Sequence, residues 1–381
     1  MNKARIIITA KIKDIRYQAL IKASIKSVHV NDFDINDASS SCIVQDDINE
    51  IAISKWVSPK RTRSYPYARV YDTIAKNKRT TVIPVVKDEG LDGDRDFLQW
   101  DTICLMSLLQ VFVIIGYYKT ASRNPHYSNK VTKQRFDNDW IKERIKRLLT
   151  RYQSDALHWN IRQLREELKI VIGKQIEAYN QISMDKKVNF HSSAGLASFK
   201  EIIDRDLDEF MNSSRTRAEK AQSREIATLH IHERLETSSK SSITITNFIG
   251  GKYFFTVDEV TIDRDTNQIY LIESKHSNSA MLPSKADIKD GLLKMIIYTN
   301  LQEIEVEYVG QTTKKLQPNP VLRLTSSHVN SSINSNDLES LEIWCSNHGI
   351  RSNSTRVFLK QLFEEAQFNR FVVEIKNART V

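Results

Sequence analysis

Apolar residues follow two distinct patterns along the chain. Short apolar runs separated by polar turns, the pattern of strands, fill residues 1–57 and 241–310. Apolar residues recur at helical spacing through 135–182. The same helical spacing returns in four shorter segments, at about 198–211, 215–234, 337–348 and 354–367. Strands interleaved with helices predict an α/β fold, in which a mixed central sheet is flanked by helices.

Changes in these patterns divide the 381-residue chain into four segments. They are an N-terminal α/β region at 1–130, a helical region at 131–214, a second α/β segment at 215–316, and a small C-terminal helical segment at 317–381. This last segment holds a Ser/Asn-rich stretch, about 325–336, that is typical of a linker. The length agrees with two or three domains of about 150 residues each.

Composition excludes several classes of protein. Hydrophobic residues make up 40% of the chain, too many for a disordered protein, and 10 Gly and 7 Pro are too few for collagen. The three cysteines, Cys42, Cys104 and Cys345, are far apart, which excludes a disulfide scaffold and a Cys-based zinc site. The chain has 56 Lys and Arg against 47 Asp and Glu, a balance of +9 that favours an acidic partner such as nucleic acid.

No stretch of the sequence has the length of a membrane span. The most apolar one, Ile103–Tyr118, is shorter than the roughly 20 residues that a bilayer needs. The apolar run at residues 5–9 is too short for a secretory signal. We therefore expect a cytoplasmic protein without a membrane partner.

The most informative stretch is 252–277, KYFFTVDEVTIDRDTNQIYLIESKHS, in which two strand-like runs flank a polar turn at 264–267. In a hairpin folded symmetrically about that turn, Asp258 lies opposite Glu273, with Cβ atoms about 5 Å apart. Strand periodicity places Lys275 on the same face. A one-residue asymmetry in the turn would break this opposition.

Carboxylates inside apolar strands are costly to bury unless something compensates for their charge. Mg²⁺ is the natural compensation for Asp258 and Glu273, because it prefers carboxylate oxygens and keeps several waters. A metal-bound water is a good nucleophile for a phosphate, and Lys275 could position that water or neutralise the developing charge.

The neighbouring elements support such a site. A capping box at Ser284–Asp287 opens a predicted helix, about 285–301, and strand Ile304–Val309 follows, which together form a crossover unit. Upstream, Glu225 lies in the apolar stripe of the predicted helix 215–234.

This succession of elements, with Glu225, Asp258 and the triplet Glu273-Ser274-Lys275 on them, resembles the core of the PD-(D/E)XK nucleases. The resemblance covers residues 215–310, about a quarter of the chain. It implies a restriction endonuclease-like core in which Asp258 and Glu273 bind one or two Mg²⁺ ions and Lys275 is the catalytic lysine. Glu225 corresponds to an acid that some members carry on the helix. The family's Pro-Asp pair is absent, since Val257 precedes Asp258.

The resemblance implies a type II restriction endonuclease that cuts double-stranded DNA at a short specific sequence. A homodimer is expected, since a palindromic site calls for two-fold symmetry. A DNA methyltransferase is the expected genetic partner, in the cytoplasm of a prokaryotic cell. Two alternatives stay open: a repair, recombination or mobile-element nuclease with the same core, and a non-cleaving DNA-binding protein with a degenerate nuclease fold.

A Glu-x-Lys triplet alone is weak evidence, because two others occur, at 167–169 and 374–376. Neither has an acidic partner strand and a following crossover helix. Asp263 at the hairpin turn and Glu259, on the face opposite Asp258, are interpreted as structural, the latter as ion-paired or solvated. The alternative for 252–277 as a whole is a plain surface hairpin.

Two basic segments are candidates for contact with DNA. The first, 58–71, carries tyrosines among its cations, which could stack or donate to phosphate. The second resembles a helix-turn-helix followed by a β-wing at Phe371–Ile375. The cations concerned are Lys60, Arg61, Arg63 and Arg69 in the first segment and Arg351 and Arg356 in the second. An ordinary solvated loop and a dimerisation or capping element are the alternatives. The acidic loop 87–96 is interpreted as a solvated loop rather than a calcium site.

Overall fold

The computed structural model describes residues 7–21, 23–60, 65–150, 156–205, 241–247, 252–263, 265–308 and 311–378. The chain forms two compact units. The first combines Met1–Ala23 with Ala218–Val381, and the second is Ser24–Arg217. The second unit is therefore inserted into the chain of the first. The predicted segments 215–316 and 317–381 fall together in the first unit, with a strand from the N-terminus that the sequence analysis placed elsewhere.

Strands and helices alternate through both units. The strands are β1 (Ile7–Ile12), β2 (Lys26–His29), β3 (Ser41–Gln45), β4 (Glu50–Lys55), β5 (Arg79–Pro84), β6 (Val86–Asp88), β7 (Arg95–Phe97), β8 (Phe112–Gly116), β9 (Tyr118–Arg123), β10 (Val131–Phe136), β11 (Ser241–Asn247), β12 (Lys252–Val257), β13 (Glu259–Asp263), β14 (Gln268–Ser277), β15 (Gln302–Tyr308), β16 (Gln311–Ser326), β17 (Ile333–Asn334) and β18 (Val372–Asn377). The helices are α1 (Pro66–Thr73), α2 (Trp100–Leu108), α3 (Asn138–Thr150), α4 (Ala156–Arg162), α5 (Leu168–Lys186), α6 (Ser193–Arg205), α7 (Lys285–Tyr298), α8 (Leu341–Asn347) and α9 (Asn353–Asn369).

The first unit is built on one mixed sheet, whose order in the described part of the chain is β12-β11-β1-β15-β16-β14-β13, with β18 beside β16 and β17 beside β18. Strand β1 lies in its interior, parallel to β11 and antiparallel to β15. Its residues alternate between exposed and buried, with Ile8 and Ile12 fully buried. The predicted mixed α/β class is thus confirmed, and the sheet uses a strand more than 200 residues away from its neighbour β11.

The crossover after β14 differs from the predicted one. Helix α7 leads to β15, but the parallel neighbour of β14 is β16, which pairs with it from Gln317 to Ser326. Strand β15 pairs with the first part of β16 and with β1 instead. The predicted linker at 325–336 is also wrong in part: β16 continues to Ser326, whose buried hydroxyl donates to the carbonyl of Ala280 at 2.7 Å, and β17 follows.

The C-terminal helices are confirmed as α8 and α9, but the predicted β-wing is not. Strand β18 lies parallel to β16 within the large sheet, with Val373 and Ile375 fully buried. The buried carboxylate of Glu365 on α9 accepts hydrogen bonds from the backbone N–H groups of Leu20 and Ile21 at 2.7 and 2.9 Å. The C-terminal segment is therefore part of the first unit's core.

The second unit has its own core around the sheet β2-β3-β4-β5-β8. Helices α3 and α4 cover this sheet with Ile141, Ile145, Leu148 and Trp159, all buried. Strand β8, at one end of this sheet, is buried along its whole length and follows helix α2 in the chain. Two separate two-stranded sheets, β6–β7 and β9–β10, and helices α1, α2, α5 and α6 also belong to this unit. None of the described helices has the length and apolar character to cross a membrane.

Candidate active site

The hairpin of β13 and β14 has the register that the sequence predicted. The pairs run from Glu259–Ile272 to Asp263–Gln268. Asp258 lies one position before the first of these pairs, between β12 and β13, and its Oδ2 accepts the backbone N–H of Ser274 at 2.9 Å. The first carboxylate is thereby fixed beside the Glu273–Lys275 stretch of β14.

Glu273 is the most deeply buried charge of this region, with 2% of its surface exposed. Each of its carboxylate oxygens meets a different lysine. Oε1 lies 3.1 Å from Lys275 Nζ, and Oε2 lies 2.6 Å from Lys294 Nζ. Lys275 also pairs with Asp290 Oδ2 at 2.9 Å, and Lys294 donates to the carbonyl of Thr256 at 3.3 Å. Strand β14 and helix α7 thus bring two lysines and two carboxylates together.

The lysines decide the protonation of this cluster. Burial acts to raise the pKa of Glu273, but the attraction of Lys294 and Lys275 outweighs it and holds the pKa below its usual range. Burial acts to lower the pKa of Lys275, but the charges of Glu273 and Asp290 outweigh it and hold the pKa above its usual range. At neutral pH the carboxylate and the ammonium are both charged.

We expect Glu273→Gln to lower stability by about 3 kcal/mol at neutral pH, because two largely buried lysines lose their counter-charge. The difference in the free energy of unfolding between the variant and the wild type should shrink as pH falls below 4.5, the ordinary pKa of a glutamate. A carboxylate whose pKa is lower in the folded than in the unfolded state stabilises the folded protein at pH values above its unfolded-state pKa. This contribution is lost as pH falls through the folded-state pKa. Urea unfolding of both proteins between about pH 3 and 7 measures this.

The exposed Glu339→Gln is the control for that titration, since Glu339 lies on the surface of the same unit. It should leave the pH dependence of stability unchanged. A Glu273→Gln deficit that stays constant down to about pH 3 would show that the lysines do not hold the Glu273 carboxylate in its ionised form.

Helix α7 approaches the site closely at a glycine. The helix begins as predicted, with Ser284 as its N-cap accepting the backbone N–H of Asp287. Further along the helix, a Cβ placed on Gly291 would lie 2.6 Å from Leu322 Cδ1 and 3.4 Å from Lys275 Cε. Leu322 is fully buried and has little room to move. The absence of a side chain at 291 therefore lets α7 rest directly over Lys275.

We expect Gly291→Ala to lower the free energy of unfolding by about 1 kcal/mol net, because the clash in a packed core outweighs the gain in helix propensity. The matched control is Gly173→Ala in the middle of α5, where a Cβ would meet no described atom within 4 Å. That variant should gain about 0.5–1 kcal/mol. Urea unfolding distinguishes the two signs, and a stabilising Gly291→Ala would contradict the close packing of α7 on β14.

The opposite face of the same strands holds a structural ion-pair network. Arg323, 7% exposed, pairs with both Glu259 and Glu374 and lies 3.0 Å from the latter. The ion-pair interpretation of Glu259 is confirmed, and Glu374, the acid of the C-terminal Glu-x-Lys triplet, links β18 to β16. His276 bonds to Thr325 Oγ1 at 2.9 Å. Asp263 Oδ1 accepts backbone N–H groups within the hairpin turn, as turn chemistry predicted.

Lys294 is the member of the cluster that sequence reasoning missed. It is a single cation within the apolar run 291–297, whose other residues are buried on α7. An isolated charge in an apolar run is the same signal that marked Glu273. On a helix this signal is weaker than on a strand, because a lysine on a helix is usually solvated.

The other predicted site residues are dispersed. Glu225, Arg61 and Arg63 lie outside the described residues. Lys60 and Arg351 are exposed. The remaining two cations bind their own fold: Arg69 donates to the carbonyl of Lys55, and Arg356 donates to the carbonyl of Ile350 and to Glu342, both at 2.7 Å.

Two of the tyrosines in segment 58–71 are packed inside the second unit. Tyr67 and Tyr71 are 5% and 1% exposed, so they are core residues of the second unit and cannot stack on a base. The prediction that these tyrosines face nucleic acid is therefore wrong. Among the described members of the segment, Lys60 and Tyr65 remain on the surface.

The carboxylates of the cluster have the chemistry of a magnesium site only in part. Asp258 and Glu273 offer hard oxygen donors, and Mg²⁺ is commonly held by one or two carboxylates plus waters. Among the described residues, no group of three or more His, Cys, Asp or Glu side chains is arranged to hold a metal. A divalent ion at Glu273 would have to share its oxygens with Lys275 and Lys294.

Comparison with known proteins adds no identification: no family model matches the chain, and neither the curated proteins nor the solved structures include a significant match.

Proposed function

We propose that the chain is a Mg²⁺-dependent endonuclease of the PD-(D/E)XK type that hydrolyses phosphodiester bonds of double-stranded DNA. The observation that supports this most is the buried Glu273 carboxylate, held between Lys275 and Lys294 next to Asp258. Perturbed pKa values in a cluster of opposite charges are typical of functional sites. Burying a carboxylate at this depth costs free energy unless it is paired, and here two lysines from different elements supply the pairing.

In this proposal Asp258 and Glu273 hold the metal, and each lysine has its own task. The bound ion supplies a nucleophilic water and neutralises charge on the phosphate. Lys275, kept protonated by Glu273 and Asp290, positions the attacking water or donates to a phosphate oxygen. Lys294 holds the Glu273 carboxylate in place from α7, through its second contact to the carbonyl of Thr256.

The more specific proposal is a type II restriction endonuclease. Two protomers related by a two-fold axis would cut the two strands of a palindromic site. A DNA methyltransferase acting on the same sequence and a cytoplasmic location in a prokaryotic cell belong to this proposal.

One observation favours a second candidate, a DNA-binding protein that does not cut. Both oxygens of Glu273 are already engaged by lysines, so the cluster is charge-balanced as an ion-pair network without a metal. In such a protein, Lys275 and Lys294 would only neutralise a buried acid inherited from a nuclease core.

Incubation of the full chain with plasmid and phage DNA tests these proposals. Discrete fragments with Mg²⁺, and none with EDTA, are expected for a restriction endonuclease. Cutting confined to forks, nicks or flaps would replace restriction by repair or recombination. Retarded but intact DNA at every Mg²⁺ concentration would support the non-cleaving protein and overturn the endonuclease.

A further inference from the structure

Five cations and no acidic residue lie on a two-stranded ribbon of the second unit, which the sequence patterns did not reveal. Strands β9 and β10 pair antiparallel with each other and with no other described strand. Residues 118–136, which we call the ribbon, contain no Asp or Glu. Their cations are Lys119, Arg123, Lys130, Lys133 and Arg135.

One side of the ribbon is anchored in the unit and the other is open. Tyr118, Ala121, Val131 and Phe136 are buried, and the amide of Gln175 on α5 bonds to both backbone groups of Tyr118, at 2.9 and 3.0 Å. Most other residues of the ribbon are exposed, among them Lys119, Arg123, Lys133 and Arg135. The ribbon is thus anchored in the unit on one side and presents a cationic surface on the other.

A bulge in β10 fixes how the cations point. The register shifts between Thr132 and Arg135, and Lys133 has a left-handed backbone with φ of 49°. Gln134 turns inward at this point, where its side chain donates to the carbonyl of Asp88 at 2.7 Å and accepts from the hydroxyl of Tyr179 at 3.0 Å. Bulges of this kind re-aim side chains and are common at functional sites. The strained Lys133 and its neighbour Arg135 are thereby kept on the exposed side.

The tip of the ribbon is organised by the acidic loop 87–96. Asp92 Oδ2 accepts the backbone N–H of Asn129 at 2.8 Å, and the carbonyl of Glu89 accepts that of Val131 at 2.8 Å. Asp88 of this loop is fully buried, so the prediction of a simply solvated loop is wrong at that residue.

The cations of the ribbon are only partly neutralised within the protein. Lys119 pairs with Asp137 at 3.1 Å, Arg135 with Asp37 at 2.9 Å and Lys130 with Glu89 at 3.3 Å. Arg123 and Lys133 form no ion pair with any of the described residues. The Arg135–Asp37 pair is exposed and contributes little, whereas the carboxylates of Glu89 and Asp137 are largely buried. Arg123 and Lys133, with Arg135, are therefore the cations most available to an anionic partner.

We propose that the ribbon is a binding surface for double-stranded DNA, inserted into the major groove with Arg123 and Lys133 on the flanking phosphates. The B-form major groove, about 12 Å wide, admits a two-stranded ribbon, whereas the major groove of A-form RNA is too narrow. Exposed Tyr127 at the tip, with Lys130 over its ring, adds an apolar contact for sugar or base. The assignment rests on the proposed function in that it names the element with which the endonuclease would hold its substrate.

The proposal is tested by measuring how the full chain binds a mixed-sequence duplex of about 30 base pairs. Fluorescence anisotropy in EDTA, at several salt concentrations, reports the binding. The variant is Arg123→Gln/Lys133→Gln, and the charge-matched control is Lys26→Gln/Lys146→Gln, at exposed positions elsewhere in the same unit. Affinity near 0.1 M salt should fall at least about tenfold for the ribbon variant, and its salt slope should fall by about 1.8, or 0.9 for each phosphate contact. The control should change neither. Adding charge with Thr120→Lys/Ser122→Lys should tighten binding.

Three other results of the binding experiment would overturn the proposed role of the ribbon. Equal losses in variant and control would show a diffuse charge effect, and equal affinity for A-form RNA would exclude groove insertion. If the wild-type protein bound no duplex at all, the ribbon could not be a DNA-binding surface. Failure of the endonuclease proposal is detected separately, by incubation with Mg²⁺. DNA that is bound through the ribbon but never cut would contradict the endonuclease and support the ribbon as a DNA-binding surface. DNA that the ribbon variant cuts as well as the wild type would contradict only the role of the ribbon.

Discussion

Lys275→Met is expected to slow Mg²⁺-dependent DNA cutting by at least about a hundredfold while duplex binding stays within about twofold. Met keeps the length of the side chain and removes the ammonium that lies between Glu273 and Asp290. If Lys275 positions the water or neutralises the phosphate, the loss falls on the chemical step and not on affinity. Single-turnover cutting of a labelled duplex, with anisotropy in EDTA for affinity, measures both.

Lys376→Met is the matched control for that experiment. Lys376 ends the Glu374-Ile375-Lys376 triplet on β18 of the same sheet, where Glu374 is committed to Arg323. Its loss should leave the cutting rate within about twofold of the wild type. Equal cutting rates for the wild type and the folded Lys275→Met protein would show that Lys275 takes no part in catalysis. The thermal unfolding transition of each variant shows whether it is folded.

Deletion of residues 1–23 is expected to prevent residues 218–381 from reaching their native fold. Strand β1 provides hydrogen bonds to β11 on one side and to β15 on the other, so its removal opens two strand edges inside the sheet. The same deletion removes Leu20 and Ile21, whose N–H groups satisfy the buried carboxylate of Glu365. Soluble yield and the number of cooperative unfolding transitions, compared with the full chain, measure the effect.

A pair of single substitutions tests the same strand without a deletion. Ile8 is fully buried on β1, whereas its neighbour Ile7 is 41% exposed. We expect Ile8→Ala to cost about 2–5 kcal/mol and Ile7→Ala less than about 1 kcal/mol. Equal and small costs, or a deletion protein that unfolds like the full chain, would contradict an interior position for β1. Residues 24–217, which have their own core, should fold when produced alone.

Local features of the first unit were predictable from sequence because each depends on residues close together in the chain. The symmetric turn set the register of β13 and β14, and the capping box at Ser284 set the start of α7. The pairings of β1 with β11 and of β14 with β16 were not predictable, because they join distant segments and leave no periodic signal in either one. The apolar pattern predicted a strand at β1 but none at 311–326, where β16 lies, and it did not show which strands β1 joins.

The residues of the candidate site were likewise predictable from the sequence only in part. Asp258, Glu273 and Lys275 were found because charges inside apolar strands are conspicuous, and the structure places them together. The hydrogen bonds of Arg69 and Arg356 to backbone carbonyls were not predictable, because a long cation that binds its own backbone has the same sequence signature as one that binds phosphate. The ribbon was missed because its apolar positions do not alternate regularly around the bulge at Lys133.

The insertion of the second unit between β1 and β11 has a consequence for biosynthesis. During translation β1 leaves the ribosome first, and about 230 residues are added before β11 is available to pair with it. At usual elongation rates this delay is roughly 10–50 s, which is long compared with the folding time of a small domain. The inserted unit should therefore be native while β1 is still unpaired, and a nascent chain stalled before β11 would expose an apolar strand to chaperones and aggregation.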